Sequence, residues 1–180
     1  MKKFFVCLTF FTFAFFDQVF AMEIFKHPET AASIASKMPE FNNAECKFEQ
    51  NKYMKTSNVN LASGGNFKFI KEQGVIFETV HPIHSTSQYT TSQNKNINAV
   101  IKAIASKNYS YLDKNFNLYY QKNNQSGWLL ALAPKQDGQL RGELGYIMVY
   151  GSSSNLNGKI SKMIIDTKNT KTTINFIDCR

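Results

Sequence analysis

Arginine is nearly absent from this sequence. Only Arg141 and Arg180 occur in 180 residues, although the chain carries a formal charge of +8. The basic excess is lysine, spread from Lys26 to Lys171 with no dense run. Nucleic-acid modules set arginine clusters among exposed aromatics in recognisable motifs, so no nucleic-acid partner is expected. Metal-ligating residues are just as sparse. His81 and His84 flank Pro82-Ile83, but a zinc site needs three or four ligands, and no cysteine or carboxylate cluster completes this one. Ser63 and Ser152 to Ser154 lack a nucleophile elbow, and the glycine runs ASGGN, QSG and YGSSS do not fit phosphate-cradling loops. Neither a catalytic residue nor a metal is expected, and the chain is not read as an enzyme. Internal repeats and low-complexity linkers are also missing.

A long apolar run is lacking too. Phe4 to Phe16 are largely apolar, but Asp17 and Gln18 interrupt the run before the ~20 residues that a membrane span requires. Lys2 and Lys3 ahead of that run, and Val19-Phe20-Ala21 behind it, make residues 1–21 a secretory signal peptide cleaved after Ala21. Residues 22–180 are then a single domain with a periplasmic location. Losing Lys2, Lys3 and Asp17 lowers the basic count from 21 to 19 and the acidic count from 13 to 12, a net of +7. Cys7 leaves with the leader. Cys46 and Cys179 remain as an even pair in an oxidising compartment, either bonded or as two free thiols. If bonded, they close a loop long enough to contribute about 4 to 5 kcal/mol on the chain-entropy model.

What the sequence has in quantity is β pattern and aromatic surface. HPETAASIASKMPEF reads as a short amphipathic helix with Pro28 and Glu29 in its first turn and Pro39 as its stop. From Cys46 the period becomes two, with Cys46, Phe48 and Gln50 sharing one face. Gly64 and Gly65 permit a bulge before Phe67 and Phe69, and KEQG turns the chain into GVIFETV, a strand apolar on both faces. A cover is therefore expected over each face of that strand. STSQYTTSQ continues as strand. NINAVIKAIASK then places Ile97, Val100, Ile101 and Ile104 on one helical stripe, suited to packing over the sheet or, as an alternative, to lying on a membrane surface. FNLYYQK, GWLLALAPK, GYIMVYG, KISKMIID and KTTINFID are five further strands. QDGQLRGEL reads as a loop or a short extra helix, and GSSSNLNG as a flexible turn. Nine strands and two helices joined by short turns define a mainly β (α+β) fold: one strongly curved antiparallel sheet with helices to one side. Its interior is filled by side chains or by a ligand, and composition does not choose between them.

The runs C-x-F-x-Q-x-K at Cys46 to Lys52, L-x-S-G-G-x-F-x-F at Leu61 to Phe69, G-V-I-F-E-T-V-x-P at Gly74 to Pro82 and G-K-I-x-x-M-I-I-D…T-x-T-x-I-x-F at Gly158 to Phe176 resemble, in order, the LolA-like family of outer-membrane lipoprotein carriers. The resemblance covers most of the chain after the leader. It implies an incomplete β-barrel lidded by helices, with a hydrophobic cavity that receives acyl chains and no cofactor. The implied partners are an acylated lipoprotein or glycolipid cargo, an inner-membrane donor and an outer-membrane acceptor, with the carrier a monomer. Carried onto this chain, it puts Phe48, Phe67, Phe69 and Phe77 on cavity-forming strands, and Lys71 near a basic position that contacts the lid or a headgroup. Phe77 stands where the family commonly has tryptophan, and Lys71 where it has arginine. Ile97, Ile101, Ile104, Trp128 and Leu130 complete the expected cavity wall. Two other classes stay open: a secreted protein-binding or inhibitory domain with a filled core, and a secreted hydrolase using a serine or histidine site, His81 and His84 being the histidines to test.

Overall fold

The computed structural model describes residues 23–71, 74–89, 97–123, 126–138, 140–154 and 157–180. The leader and its cleavage point lie outside them, as do the KEQG residues 72–73 and the end of the STSQYTTSQ strand. Nine strands follow in chain order: β1 (Ala44–Met54), β2 (Val59–Ile70), β3 (Gly74–His81), β4 (Ser85–Tyr89), β5 (Phe116–Asn123), β6 (Gly127–Pro134), β7 (Leu144–Ser154), β8 (Asn157–Thr167) and β9 (Thr170–Ile177). Three helices lie wholly within the described residues: α1 (Ala31–Lys37), α2 (Ile97–Ala105) and α3 (Tyr109–Asn115).

The strands form a single antiparallel sheet in the order β4-β3-β2-β1-β9-β8-β7-β6-β5. It is not closed: β4 and β5 are its two edges. The order explains where the helices go. Two hairpin meanders, β1–β4 and β5–β9, meet at the β1–β9 seam, so the link from β4 to β5 must cross the whole sheet. That link carries α2 and α3. Their apolar sides, Val100, Ile101, Ala103, Ile104, Tyr109 and Leu112, are buried in the same core as the inward residues of the strands. The seam is stapled covalently by the Cys46–Cys179 disulfide across a separation of 133 residues. Paired backbone hydrogen bonds between Glu45 and Arg180, both 3.0 Å, extend it.

Register aligns the core row by row. Phe48 stands opposite Phe176 and Gly65, Phe67 opposite Cys46 and Phe77, and Leu130 opposite Tyr120 and Val149. The bulge expected at the glycine pair falls between Gly64 and Gly65. A Cβ at Gly65 would lie 1.9 Å from the Glu78 carbonyl oxygen, so only glycine lets β2 and β3 approach there.

Four readings change. Pro28 and Glu29 are not in the first turn of α1. The Glu29 N–H is spent on the Leu118 carbonyl of edge strand β5 (2.7 Å), and Thr30 becomes the cap, its hydroxyl accepting from the Ser33 N–H at 3.2 Å. Helix α3 was not anticipated; its signals are Asn108, whose side chain accepts from the Tyr111 N–H at 3.2 Å, and the Tyr109/Leu112 pair that it buries. GSSSNLNG is largely strand, because Ser153 pairs with Gly158 and Ser154 with Asn157. Backbone pairing there needs nothing from the side chains. Finally, the outer face of β3 is not covered: Ile76 and Glu78 are half-buried and Val80 is 36% exposed. The sheet is buried on both faces elsewhere, at β5–β8. There Tyr119, Leu129, Ala131 and Met148 form a second, outer cluster with Ile24 and Phe25 packed against it. QDGQLRGEL resolves to turns in its described part.

Candidate functional site

The inner face of the β2–β1–β9 region is aromatic because period-two alternation sends every second residue inward and phenylalanines occupy those positions. Phe67 lies at the centre of the cluster. Its ring centroid is 4.6 Å from that of Phe176 and 5.0 Å from that of Phe77, and Phe77 is in turn 5.2 Å from Phe48. The tilted and edge-on geometries match the preferred packing of aromatic quadrupoles.

Beside this cluster the packing leaves a cavity of about 180 Å3. Phe41, Cys46, Phe67, Phe69, Ile101, Ile160, Phe176 and Cys179 give it an apolar wall. Asn42, Asn43, Asn157, Lys159 and Arg180 supply the polar part of its lining. Helix α2 contributes Ile101, and the disulfide forms part of the same wall. Engineered apolar cavities of about 150 Å3 stay dry and take up benzene, so this space suits one small apolar group as it stands. Anything longer requires the helices or the 39–41 segment to move.

That segment acts as a strap. Pro39 ends α1, the Gly158 N–H donates to the Glu40 carbonyl at 2.6 Å, and Phe41 is 4% exposed. A Cβ on Gly158 would lie 2.5 Å from Pro39 and 2.8 Å from Phe41, so the strap lies directly on β8. Helix α1 is tethered through the Glu29 carboxylate, which accepts from Ser33 Oγ at 2.6 Å and pairs with Lys37. Burial alone raises the Glu29 carboxyl, but the hydrogen bonds from Lys37 and Ser33 outweigh it and hold the group below its ordinary range. Lys107 on the link between α2 and α3 pairs with Glu40 of the strap at 2.9 Å. The Glu40 carboxyl is lowered mainly by that hydrogen bond.

Of the residues expected at the site, Phe67, Phe69 and Ile101 line the cavity, and Phe48 and Phe77 belong to the adjoining aromatic cluster. Ile104 is fully buried under α2. Ile97 opens that helix, and its side chain falls outside the described set. Trp128 and Leu130 are buried at the other end of the inner face, on β6, and do not line the cavity. Lys71 sits in the turn after β2 with its N–H donating to Asn43 Oδ1 at 2.9 Å, and its side chain is exposed. Phe41, Ile160 and Asn43 were missed; the signal for Phe41 was an aromatic residue placed just after a helix-stopping proline. Among the described residues, no three His, Cys, Asp or Glu side chains come together as a metal site. No described helix is long and apolar enough to cross a membrane.

No family profile matches the chain, and no curated protein matches it. Solved structures do resemble it. One is a LolA superfamily protein from Nitrosomonas europaea, at 9% identity and a TM-score of 0.40, covering 84% of this chain and 93% of that one. An outer membrane lipoprotein-sorting protein domain from Vibrio parahaemolyticus is similar at 9% identity and a TM-score of 0.36, covering 83% of this chain and 90% of that one. A DUF1329 family protein from Desulfovibrio piger is similar at 6% identity and a TM-score of 0.33, with the same coverages, 83% and 90%.

Proposed function

We propose that the protein is a periplasmic carrier that holds an acyl chain of a lipoprotein or glycolipid between the inner face of the sheet and its helical lid, delivering it toward the outer membrane. The observation that supports this reading is the partly open, largely apolar cavity of about 180 Å3 lined by Phe67, Phe69, Phe176 and Ile101. It lies under a lid whose elements are short and whose tethers, Glu29–Lys37 and Glu40–Lys107, are polar contacts at the surface. Exposed ion pairs hold little free energy, on the order of 0 to 1 kcal/mol, whereas each buried methylene contributes about 0.8 kcal/mol. An entering chain therefore offsets the loss of both tethers within about three carbons, and the larger cost is separating the apolar sides of α2 and α3 from the sheet. The sheet itself stays intact, since its backbone groups are paired and the disulfide fixes its seam.

The extent of side-chain filling favours a second reading, a secreted protein-binding domain whose aromatics are core. Purification from periplasm without detergent, solvent extraction and mass spectrometry separates the two. A stoichiometric acylated species establishes the carrier and names its cargo. An empty extract, with no uptake of fluorescent acyl probes, sinks the carrier reading and leaves the binding domain.

A further inference from the structure

At the far end of the inner face, where β5, β6 and α1 meet, an open cleft of about 790 Å3 is lined by Ser36, Lys37, Tyr120, Lys122 and Trp128 among others. Register builds it. Lys122 on β5 stands directly opposite Trp128 on β6, and Trp128 opposite Gly151 on β7. The indole occupies the space a side chain at 151 would need: an ideal Cβ there lies 2.1 Å from Trp128 Cζ2. The ring is thereby held in place beside the lysine. It is 2% exposed, yet its Nε1 has no hydrogen-bond partner among the described residues. Tyr109 Oη is in the same condition, buried without a partner, and its phenol is pushed far up by burial first and then by the nearby Glu40 and Tyr120 charges. Buried donors without acceptors are rare and point to a ligand or water that supplies one. Of these two, Trp128 lines the cleft, whose cations are unequal. Lys37 is shared with Glu29 and its ammonium lies 5.6 Å from the Tyr120 ring centroid. Lys122 is exposed and makes no ion pair among the described contacts.

We propose that this cleft binds the oxyanion headgroup, a phosphate or carboxylate, of an amphiphile. The headgroup takes charge-assisted hydrogen bonds from Lys122 and hydrogen bonds from the hydroxyls of Ser126 and Ser153, which also line the cleft, and offers an acceptor to the Trp128 indole N–H. The strap connects the cleft to the apolar cavity. Phe41 lines the cavity and lies edge-on to Trp128 at 5.8 Å, while Pro39 lines the cleft. A chain leaving the headgroup enters the interior by displacing this strap; that part of the inference rests on the carrier reading.

Trp128 is the only tryptophan, so its emission reads this cleft alone. The test titrates the leader-free protein with soluble dihexanoyl phosphatidic acid, dihexanoylglycerol and inorganic phosphate, for wild type, Lys122→Gln and the control Lys114→Gln, which removes an exposed lysine on α3. Phosphatidic acid is expected to shift the emission saturably. Lys122→Gln is expected to weaken it about five-fold, the size of one partly exposed charged contact, and Lys114→Gln to leave it unchanged. Inorganic phosphate binding as tightly, with the same Lys122 dependence, supports the oxyanion site with a free anion as its ligand and overturns its assignment to an amphiphile. Equal binding of phosphatidic acid and dihexanoylglycerol, unaltered by Lys122→Gln, overturns the headgroup site and leaves the carrier reading standing. No emission change with any probe overturns the site. Thermal melts of both variants verify that the fold is unchanged.

Discussion

Replacing Phe67 with alanine tests whether the wall beside the cavity is rigid. The ring is 6% exposed and wedged between Phe77 and Phe176. Truncation removes about 100 Å3 of side chain, and at about 24 cal/mol per Å3 of residual cavity that is about 2.4 kcal/mol, before the lost transfer free energy brings the total to about 4 kcal/mol. Because Phe67 already lines the existing space, the new void joins it and enlarges it if nothing collapses. Domains of this kind have roughly 5 to 15 kcal/mol of stability, so the variant still folds. Equilibrium urea unfolding, followed by circular dichroism with and without saturating benzene, reads both quantities. The expected result is a loss of about 4 kcal/mol, part of which benzene restores, and restores to a greater extent than in wild type. A loss below about 1 kcal/mol would refute the placement of Phe67 in packed core. A loss near the transfer term alone, about 1.6 kcal/mol, with no recovery in benzene would refute the rigid wall, since the neighbours would then have closed over the void.

Other perturbations address the seam, the cleft and the lid. Reducing Cys46–Cys179 releases a loop of 133 residues and is expected to lower the urea-derived stability by up to about 5 kcal/mol on the chain-entropy model; a change below about 1 kcal/mol would show that β1 and β9 stay paired in the unfolded chain. Gly151→Ala puts a methyl 2.1 Å from Trp128 Cζ2 and 2.4 Å from the Lys159 carbonyl oxygen, so a loss of about 1 to 3 kcal/mol and a shift in tryptophan emission are expected. Unchanged emission would contradict the indole's position. The Glu29 carboxyl titrates below 4.5 in the folded protein, so its tether to Lys37 and Ser33 contributes stability above that pH and loses it as pH falls through the lowered folded value. Glu29→Gln is accordingly expected to reduce stability near neutrality and to flatten its decline below pH 4.5; a variant with the wild-type acid profile would rule the tether out.

Much of this architecture is written in short-range pattern. Alternation at Cys46/Phe48, Phe67/Phe69 and Val75/Phe77 set both the strands and their inward faces, and the 3.6-residue period set α2, because each signal arises within a few residues of chain. The glycine pair gave the bulge for the same reason. Helix α3 was harder to read, since seven residues carry only one cap and one buried pair. The start of α1 was misplaced because the Glu29 backbone bonds to β5, a partner some ninety residues on that no local propensity announces.

The sequence alone therefore determined most of the strands, helix α2 and which of their side chains face inward, because side-chain period and turn chemistry are local physics. Only the tertiary structure decided that β9 joins β1, that the β4-to-β5 link must roof the sheet, and that Trp128 belongs to a basic cleft while Phe41 and Phe176 wall the apolar cavity. Those facts depend on which surfaces meet across a hundred or more residues. A cavity is the space such a meeting leaves, and it has no signature in any one segment.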